Sequence, residues 1–403
     1  MDLPRIAGPE SSERLRALRR SAAERFEKLP WPAKTDEEWR RTDPGKIPLS
    51  AVELQPAAPA LTVSWEAVPP EGIRSGVILT DLKTALRQFP DLLEEYLFQS
   101  GSPEGLAKFV ALHEALWSDG LFCYVPEGVK LEVPLKARIE MKGHGAALFP
   151  HILLVLGAGA EATLVDERTC AGNGPGPSLC DEMVEIFVKE GARLRYIHLQ
   201  RWDPSVTELF TQRALVERDA QFMNVTIGLG GRLTKANVET VIQGADSRTD
   251  LLGVLFGSGD QHFDFHTLQD HRAVHTMSDL LYKSALEDQA KAVYTGLIRI
   301  RKEAQKSDAY QANRNLLLSQ GSKADSIPML EIEADDVRCT HGVAVGPVDE
   351  EQAFYLMSRG MSGAEADRLI VEGFFEQVFK RIPLEGLREE LTAEVTRRLK
   401  SRS

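Results

Sequence analysis

The spacing of hydrophobic positions divides this chain into three parts. Near the N-terminus, hydrophobic residues recur at the interval of a helix, and two prolines then end the pattern. The hydrophobic residues are Leu15, Leu18, Ala22 and Phe26, and the prolines are Pro30 and Pro32. Helical spacing returns between Asp81 and Trp117. We therefore predict an N-terminal helical domain over residues 1–117.

The middle of the chain carries a loose repeat of short β-patterned runs. Each copy has a turn residue followed by Ala, and then alternating apolar positions. The copies begin at Gly159-Ala160, Gly191-Ala192, Asp219-Ala220 and Gly244-Ala245, so that successive starts differ by 32, 28 and 25 residues. Recurrence at this interval is typical of a solenoid, whereas the hairpin strands of a sandwich, the alternative, repeat at about 8–12 residues. The pattern favours a right-handed parallel β-helix core over residues 118–346.

Helical signals return in the last part of the chain. Asp349 with Gln352 forms a pair typical of a helix N-terminus, and Ser362 with Glu365 repeats it. We predict a C-terminal helical domain over residues 347–403, and hence a mainly β fold with a helical domain at each end. This part is rich in aromatic residues, which either cap the end of the β-helix or dock a partner. They are Phe354, Phe374, Phe375 and Phe379.

Composition and charge exclude several classes of function. The net charge of −12 and the pI of about 5.4 argue against a dedicated nucleic-acid-binding protein. No apolar run reaches about 18 residues, so we predict no membrane span. The N-terminus has no signal-peptide core, and four cysteines without a CxxC pair are typical of reduced, buried thiols in a cytoplasmic protein. They are Cys123, Cys170, Cys180 and Cys339.

A thiol and an imidazole stand two residues apart near the end of the predicted core. Positions i and i+2 of a strand face the same side, so Cys339 and His341 project together if this segment is extended. Thiolate and imidazole bind zinc and iron–sulfur species. Two ligands make half a site at most, so further ligands must come from elsewhere, including from another chain. The alternative is that His341 is a turn residue whose ring bonds a local carbonyl.

Four histidines lie close together earlier in the core: His262, His266, His271 and His275. Alternation with phenylalanine puts His262 and His266 on one face of a strand, which raises a metal site as a hypothesis. A metal site needs three or four convergent ligands, whereas polar ladders on a solenoid face commonly bind nothing. We therefore predict that His266, His271 and His275 serve a subunit interface or the packing of turns.

Three blocks of the sequence together resemble the SufB/SufD family, the scaffold subunits of the SUF iron–sulfur cluster assembly machinery. The first is Leu29-Pro30-Trp31-Pro32 with Glu37-Glu38-Trp39-Arg40. The second comprises Phe265-His266-Thr267, Asp270-His271, His275, Ser278 and Tyr282-Lys283, continued by Gly296, Ala304-Gln305-Lys306, Gln311 and Asn315 to Ser319. The third runs from Leu330 to Gly360 and is the most specific. The likeness is strong over residues 250–383 and weak before residue 115.

Two positions identify the chain with the SufD-type branch of this family. SufB-type chains carry a cysteine where Ala324 stands here. SufD-type chains carry the Cys-x-His-Gly sequence that residues 339–342 form. The resemblance therefore implies the helper half of a scaffold heterodimer.

The resemblance also implies partners, cargo and site residues. It implies a complex with SufB and with the ATPase SufC, and a nascent iron–sulfur cluster that is transient and shared with SufB at the SufB–SufD interface. His341 and Cys339 are then the candidate cluster ligands. SufC is implied to dock on the C-terminal helices, where the candidate contacts are Phe354, Tyr355, Arg359 and Phe374. The family's machinery is associated with reduced FAD, although this chain has no flavin motif.

We expect a non-catalytic scaffold, with ATP hydrolysis in the partner SufC. The sequence contains no GxxxxGK phosphate loop in a strand–helix context, no GxSxG elbow and no HExxH. One rival is a β-helix enzyme acting on carbohydrate, which would need paired carboxylates such as Asp264, Asp270 and Asp279 in a cleft. Another is a homodimeric scaffold that associates with itself instead of with SufB.

Overall fold

Successive β-patterned runs of the chain pair in parallel and build a β-helix. The computed structural model describes residues 12–54, 60–171 and 176–400. Within these residues, most strands lie in two large sheets, and helices precede and follow them. The predicted mainly β fold with a parallel β-helix core is therefore confirmed.

We call the two sheets of the described chain sheet I and sheet II. In spatial order, sheet I contains β1 (Leu61–Trp65), β4 (Leu135–Lys142), β7 (Glu161–Ala171), β9 (Arg193–Gln200), β11 (Gln221–Gly228), β13 (Arg248–Gly257), β15 (Met277–Leu286), β17 (Asp308–Leu317) and β19 (Arg338–Pro347). Sheet II contains β18 (Lys323–Ile332), β16 (Lys291–Ile300), β14 (His262–His271), β12 (Leu233–Ile242), β10 (Val206–Val216), β8 (Ser178–Val188), β6 (Pro150–Leu156), β3 (Asp119–Val125) and β2 (Ile78–Asp81). The short β5 (Ala147–Leu148) pairs with β8.

Each coil of the β-helix contributes one strand to each sheet. In sheet I, Arg193 pairs with Gln221, which pairs with Arg248, which pairs with Met277. One coil therefore takes 28, 27 or 29 residues here, in agreement with the repeat seen in the sequence. Sheets built in this way are buried on both faces, which explains why their strands are rich in hydrophobic residues on both sides.

A stacked turn sets the length of each coil. Its central residue has a positive φ, and its amide donates to a carbonyl of the next coil. The residues in this position are Gly128, Gly159, Gly191, Asp219, Asp246, His275 and Lys306. The fourth copy of the repeat, predicted at Gly244-Ala245, was therefore wrong by two residues, because the left-handed residue of that coil is Asp246. Aspartate tolerates this conformation through local hydrogen bonding, so the Gly signal was misleading.

Five helices are described in the N-terminal part, and all except the second pack on the outer face of sheet II. They are α1 (Glu13–Lys28), α2 (Pro70–Arg74), α3 (Leu82–Gln88), α4 (Pro90–Tyr96) and α5 (Ala107–Leu116). Two 3₁₀ turns, Glu37–Trp39 and Pro44–Lys46, follow α1. Phe26 of α1 and Phe109 of α5 share a buried cluster with Leu209 and Leu233 of the sheet. The helical spacing predicted for this region is therefore confirmed for α1.

Of the three C-terminal helices, the last two pack on the outer face of sheet I and the first packs on the second. They are α6 (Glu350–Ser358), α7 (Gly363–Phe379) and α8 (Glu385–Lys400). Phe375 and Phe379 of α7 are buried in one cluster with Leu252 and Val254 of β13. Ser362 and Glu365 form the predicted capping pair at the start of α7, and Asp349 caps α6 by accepting from the backbone amides of Glu351 and Gln352. Part of the aromatic content therefore covers the β-helix, as one of the two alternatives predicted.

The domain boundaries stay a prediction. Strands β1 and β2 lie within residues 1–117, so that region is not purely helical. Residues 1–11 and 401–403 belong to the predicted terminal domains but lie outside the described residues. Across the described ranges, no helix has the length and apolar character needed to span a membrane.

A buried lysine connects the N-terminal segment to sheet II. The Nζ atom of Lys235 donates to the carbonyl of Glu38 and to Asp264 Oδ2, both at 2.8 Å. The same ammonium lies 4.9 Å from the ring centroid of Trp39. Thr42 donates a further hydrogen bond to Asp264. The first family block thus covers an ion pair of the β-helix and gives its lysine a further acceptor.

Replacing Lys235 with Met should strongly destabilise the chain. The substitution leaves the carboxylate of Asp264 buried beside no cation, which typically costs about 3–5 kcal/mol. Urea unfolding followed by tryptophan fluorescence measures the loss. As the matched control, Lys136→Met breaks a pair with Glu66 in which both side chains are exposed, and should cost less than about 1 kcal/mol. Equal losses in the two variants would contradict the role of Lys235.

Candidate functional site

The β-helix ends in two strands that are paired on one side only. Within the described residues, β18 pairs with β16 and β19 pairs with β17, and each is the last strand of its sheet. The outer edge of each strand therefore presents backbone N–H and C=O groups. Such an edge is a template for pairing with another chain. We call these two strands, residues 323–332 and 338–347, the open coil end.

Cys339 and His341 both lie in β19 and face the interior between the sheets. The register pairs Cys339 with Ala309 and His341 with Gln311, and both partners are buried. Because side chains alternate along a strand, the two ligand-type groups share one face. The extended conformation on which this expectation depended is thus present.

The interior face of the open coil end is apolar and uncovered. Four of its side chains are between 36% and 45% exposed. They are Leu330 and Ile332 of β18 and Val343 and Val345 of β19. One coil earlier, Ile298 and Ile300 in the positions beside Leu330 and Ile332 are fully buried. The difference arises because no further coil of this chain follows, and such apolar exposure is typical of an interaction surface.

The ring of His341 is exposed, and no described residue hydrogen-bonds to it. The alternative of a turn histidine satisfied by a local carbonyl was therefore wrong: His341 lies inside a strand and its ring is open to a ligand or to a second chain. This accessibility is the property that a ligand shared between two subunits requires.

Cys339 is half-buried against the last hydrophobic cluster of the β-helix. Its neighbours include Ile298, Ile300 and Ala309. Burial, together with the negative charge of Asp308, raises the pKa of the Cys339 thiol to about 11. The thiol is therefore protonated at neutral pH in this structure and is a poor ligand until its surroundings change.

Two of the other three cysteines are less accessible than Cys339. All four thiols are free. Cys123 and Cys180 are buried, as predicted, and burial raises the pKa of Cys123 to about 12. Cys170 is half-buried like Cys339, so the prediction of buried thiols was wrong for these two.

Two of the four clustered histidines face the N-terminal segment. His266 Nε2 lies 3.1 Å from Asp264 Oδ1, and His262 Nε2 lies 3.3 Å from the hydroxyl of Thr42. Burial lowers the pKa of His262 to about 4. Although burial by itself opposes it, the hydrogen bond to His266 and the charge of Lys235 hold the pKa of Asp264 below its usual range. These contacts are packing contacts of a buried ion-pair network.

The other two histidines serve the turn between β14 and β15. His271 Nδ1 lies 2.7 Å from the hydroxyl of Thr276, and His275 is the left-handed residue of that turn. No three metal-ligating side chains converge anywhere in the part of the chain that the structure describes. The placement of His271 and His275 agrees with the role in turn packing predicted from the sequence.

The candidate docking residues do not share one environment. Helix α6 has no buried residue, and Phe354 and Tyr355 are 73% and 56% exposed. The guanidinium of Arg359 lies 5.3 Å from the ring centroid of Tyr355. Phe374 is instead half-buried on α7, where the Nζ atom of Lys283 lies 4.5 Å from its ring centroid.

The structure adds three exposed hydrophobic residues to this surface. We call Phe354, Tyr355, Met357, Met361 and Leu369 the α6 patch; each is at least 37% exposed. Phe354 and Met357 lie three residues apart within α6, and this helical spacing is the signal in the sequence that points to the patch.

The carboxylates of the carbohydrate-enzyme alternative are held in ion pairs. Asp264 pairs with Lys235, Asp270 with Arg272 and Arg301, and Asp279 with Arg381. Asp264 and Asp270 are also buried. These groups therefore do not offer two free carboxyl groups across a cleft, which glycoside chemistry requires.

Comparison with known proteins assigns the chain to a family. The family described as "SUF system FeS cluster assembly, SufBD core domain" matches residues 139–374, and "SufBD protein N-terminal region" matches residues 64–137. The chain is 32% identical to "Iron-sulfur cluster assembly protein SufD" of Bacillus subtilis, over 81% of this chain and 74% of that protein. It is 34% identical to "Iron-sulfur cluster assembly SufBD family protein" of Staphylococcus epidermidis, over 77% of this chain. The matched region spans 66% of the staphylococcal protein, just under two thirds of its length.

The core match alone covers more than half of the chain, and the Bacillus protein is matched over most of its length. The core match includes the strand that carries Cys339 and His341. The chain belongs to the SufBD family of SUF iron–sulfur cluster assembly proteins and is a homologue of SufD.

Proposed function

We propose that this chain is a non-catalytic, SufD-type scaffold subunit that works in the cytoplasm. Its open coil end pairs with a SufB-type chain, and the nascent iron–sulfur cluster is the cargo assembled at that interface. The SufC ATPase docks on the C-terminal helices and supplies ATP hydrolysis. The observation that carries the proposal is the exposed side chain of His341. It lies on the last strand of sheet I, which is paired on one side only.

The shape of the open coil end favours a second β-helix as the partner. A single peptide strand could extend one sheet, but it would leave the other edge unpaired. The exposed apolar side chains between the sheets would also remain in water. A partner that ends in its own coil pairs with both edges and covers the interior face in one step. A SufB-type chain, which belongs to the same family, meets this requirement.

The chemistry of the interface follows from its two ligand-type groups. A neutral imidazole binds iron through a nitrogen lone pair, and His341 is exposed to do so. Cys339 has to lose its proton before it can bind, and a nearby cation or metal favours that loss. Two ligands do not complete a cluster site, so the partner has to supply the others.

The α6 patch is the proposed docking surface for SufC. Exposed aromatic and methionine side chains on a helix without buried residues favour a helix-binding groove on the partner. Movement of the docked ATPase can reach the β-helix because α7 buries Phe375 and Phe379 against β13. Reduced FAD belongs to the assembled complex in this proposal.

A homodimer of this chain is the second candidate. The same open coil end favours it, since the exposed edges and apolar side chains can pair with a copy of themselves. Mass measurement of the purified chain, alone and with a SufB-type partner, separates the two. A homodimer that persists when the SufB-type chain is added in excess would favour the second candidate.

Replacing His341 with Ala should reduce cluster assembly without breaking the complex. We expect the amount of cluster formed with the SufB-type and SufC partners to fall at least about tenfold. Removing a residue that only orients a metal ligand typically costs that much, and removing the ligand itself should cost no less. Anaerobic reconstitution, read by iron content and visible absorption, measures the loss, and a pull-down checks the complex. His144→Ala is the matched control. Unchanged assembly in the His341 variant would rule out the proposed ligand role.

Replacing Phe354 with Asp should weaken SufC binding. Aromatic residues at the centre of an interface commonly contribute 2 kcal/mol or more, so we expect roughly a thirtyfold loss of affinity. Surface plasmon resonance with SufC measures it. Ile73 is also exposed, at 63%, but lies on the N-terminal helix α2, so Ile73→Asp is the matched control. If the two variants bind SufC equally well, SufC docks on a surface other than the α6 patch.

The reactivity of Cys339 should report its raised pKa. In the isolated chain, we expect its alkylation by iodoacetamide to rise up to a pH of about 11. Asp308→Asn removes a negative charge that helps to raise this pKa, so the variant should react faster at a given pH below that value. Mass spectrometry of the peptide that contains Cys339 measures both rates. A plateau near pH 8.5, the region typical of a free cysteine, would contradict the buried environment.

A further inference from the structure

We infer that a basic pocket between the N-terminal segment and sheet II binds a compact diphosphate anion. The pocket has a volume of about 320 Å³ and lies apart from the open coil end. It is lined by Lys46, Arg232, His262, Gln289 and Lys291, among others. Ligand pockets begin at about 300 Å³, so this one fits a small ligand.

The floor of the pocket is a ladder of residues at the starts of parallel strands. Thr207 pairs with Leu233, which pairs with His262, which pairs with Lys291. Neighbouring strands are about 4.8 Å apart, so the ladder spans roughly 14 Å. Thr207, Leu233 and His262 are buried, which makes the floor part of the folded sheet and holds it rigid.

The residues above this floor carry more positive charge than negative charge. The next residue of the ladder after Lys291 is Lys323, so two like charges are directly adjacent, an arrangement that destabilises a sheet. Among the described residues, Lys46, Lys291 and Lys323 have no carboxylate within ion-pairing distance. The one acid in the pocket, Asp260, pairs with Arg232 at 3.7 Å. A cationic pocket in a chain of net charge −12 is a local feature and does not follow from the overall charge.

The electrostatics inside the pocket support this inference. Burial lowers the pKa of His262, Asp264 opposes the change, and the charges of Lys46 and Lys291 lower it further. Both lysines line the same pocket as the ring. His262 is neutral at physiological pH and can contribute a hydrogen bond, while the cations supply the charge.

The chemistry of the lining favours phosphoryl groups. Lysine binds phosphate as a point charge, and arginine matches its oxygens in a fork. The three cations come from separate elements: a 3₁₀ turn, the loop before β12 and the start of β16. Charges arranged around a cavity in this way suit an anion whose charge is spread over two groups. The occupant is therefore a diphosphate, either free or as the diphosphate part of a nucleotide.

Calorimetric titration of the full chain with inorganic pyrophosphate tests the inference. We expect saturable binding of one pyrophosphate per chain below about 1 mM. The double variant Lys46→Gln/Lys291→Gln should weaken binding by about a hundredfold, since each charged hydrogen bond contributes roughly a factor of ten or more. The control Lys142→Gln/Lys302→Gln removes two exposed lysines elsewhere and should change binding less than about twofold.

Three outcomes would overturn the inference: no saturation by about 5 mM, equal losses in the two double variants, or equal binding of citrate. Titration with ADP then separates the sources. Tighter binding of ADP than of pyrophosphate assigns the site to a nucleoside diphosphate. Tighter binding of pyrophosphate assigns it to the free ion, and both results support a diphosphate site.

Discussion

The backbone ladder between coils is the constraint on which this structure depends. Each strand of the β-helix satisfies its N–H and C=O groups with the coil before it and the coil after it. At one end, the short strand β1 pairs with β4 and the short strand β2 pairs with β3. Both pairs are antiparallel, so the parallel stacking of coils ends there. At the other end, β18 and β19 have no following strand in the described chain. The edge, the apolar interior and His341 are exposed together for this one reason.

Buried charge determines where the flanking helices join the β-helix. Lys235 binds the carbonyl of Glu38 and the carboxylate of Asp264, so the N-terminal segment covers a site that water cannot reach. On the opposite sheet, Lys283 donates to the carbonyl of Phe374 at 2.5 Å and connects α7 to β15. Burial lowers the pKa of Lys283 to about 8. The helices are therefore fixed by specific polar contacts as well as by hydrophobic area, which allows a force on them to reach the core.

Sequence reasoning predicted the features that local pattern determines. The coil repeat and the shared face of Cys339 and His341 follow from periodicity. The caps of α6 and α7 follow from the residue types just before each helix. Features that depend on tertiary contacts were beyond it. Phe354 and Phe374 are the same residue type on adjacent helices, yet one is in water and the other packs beside Lys283. Likewise, the left-handed backbone of Asp246 and the partial burial of Cys339 both depend on contacts with neighbouring coils.

The measurement that bears most directly on the open coil end is hydrogen exchange of β18 and β19. Their outer-edge amides have no acceptor within the described chain, so they should exchange quickly in the purified, monomeric protein. Binding of a SufB-type partner should slow them at residues 323–332 and 338–347, because the new strands accept their hydrogen bonds. Protection confined to the helices, with both edge strands exchanging as before, would contradict pairing at this end.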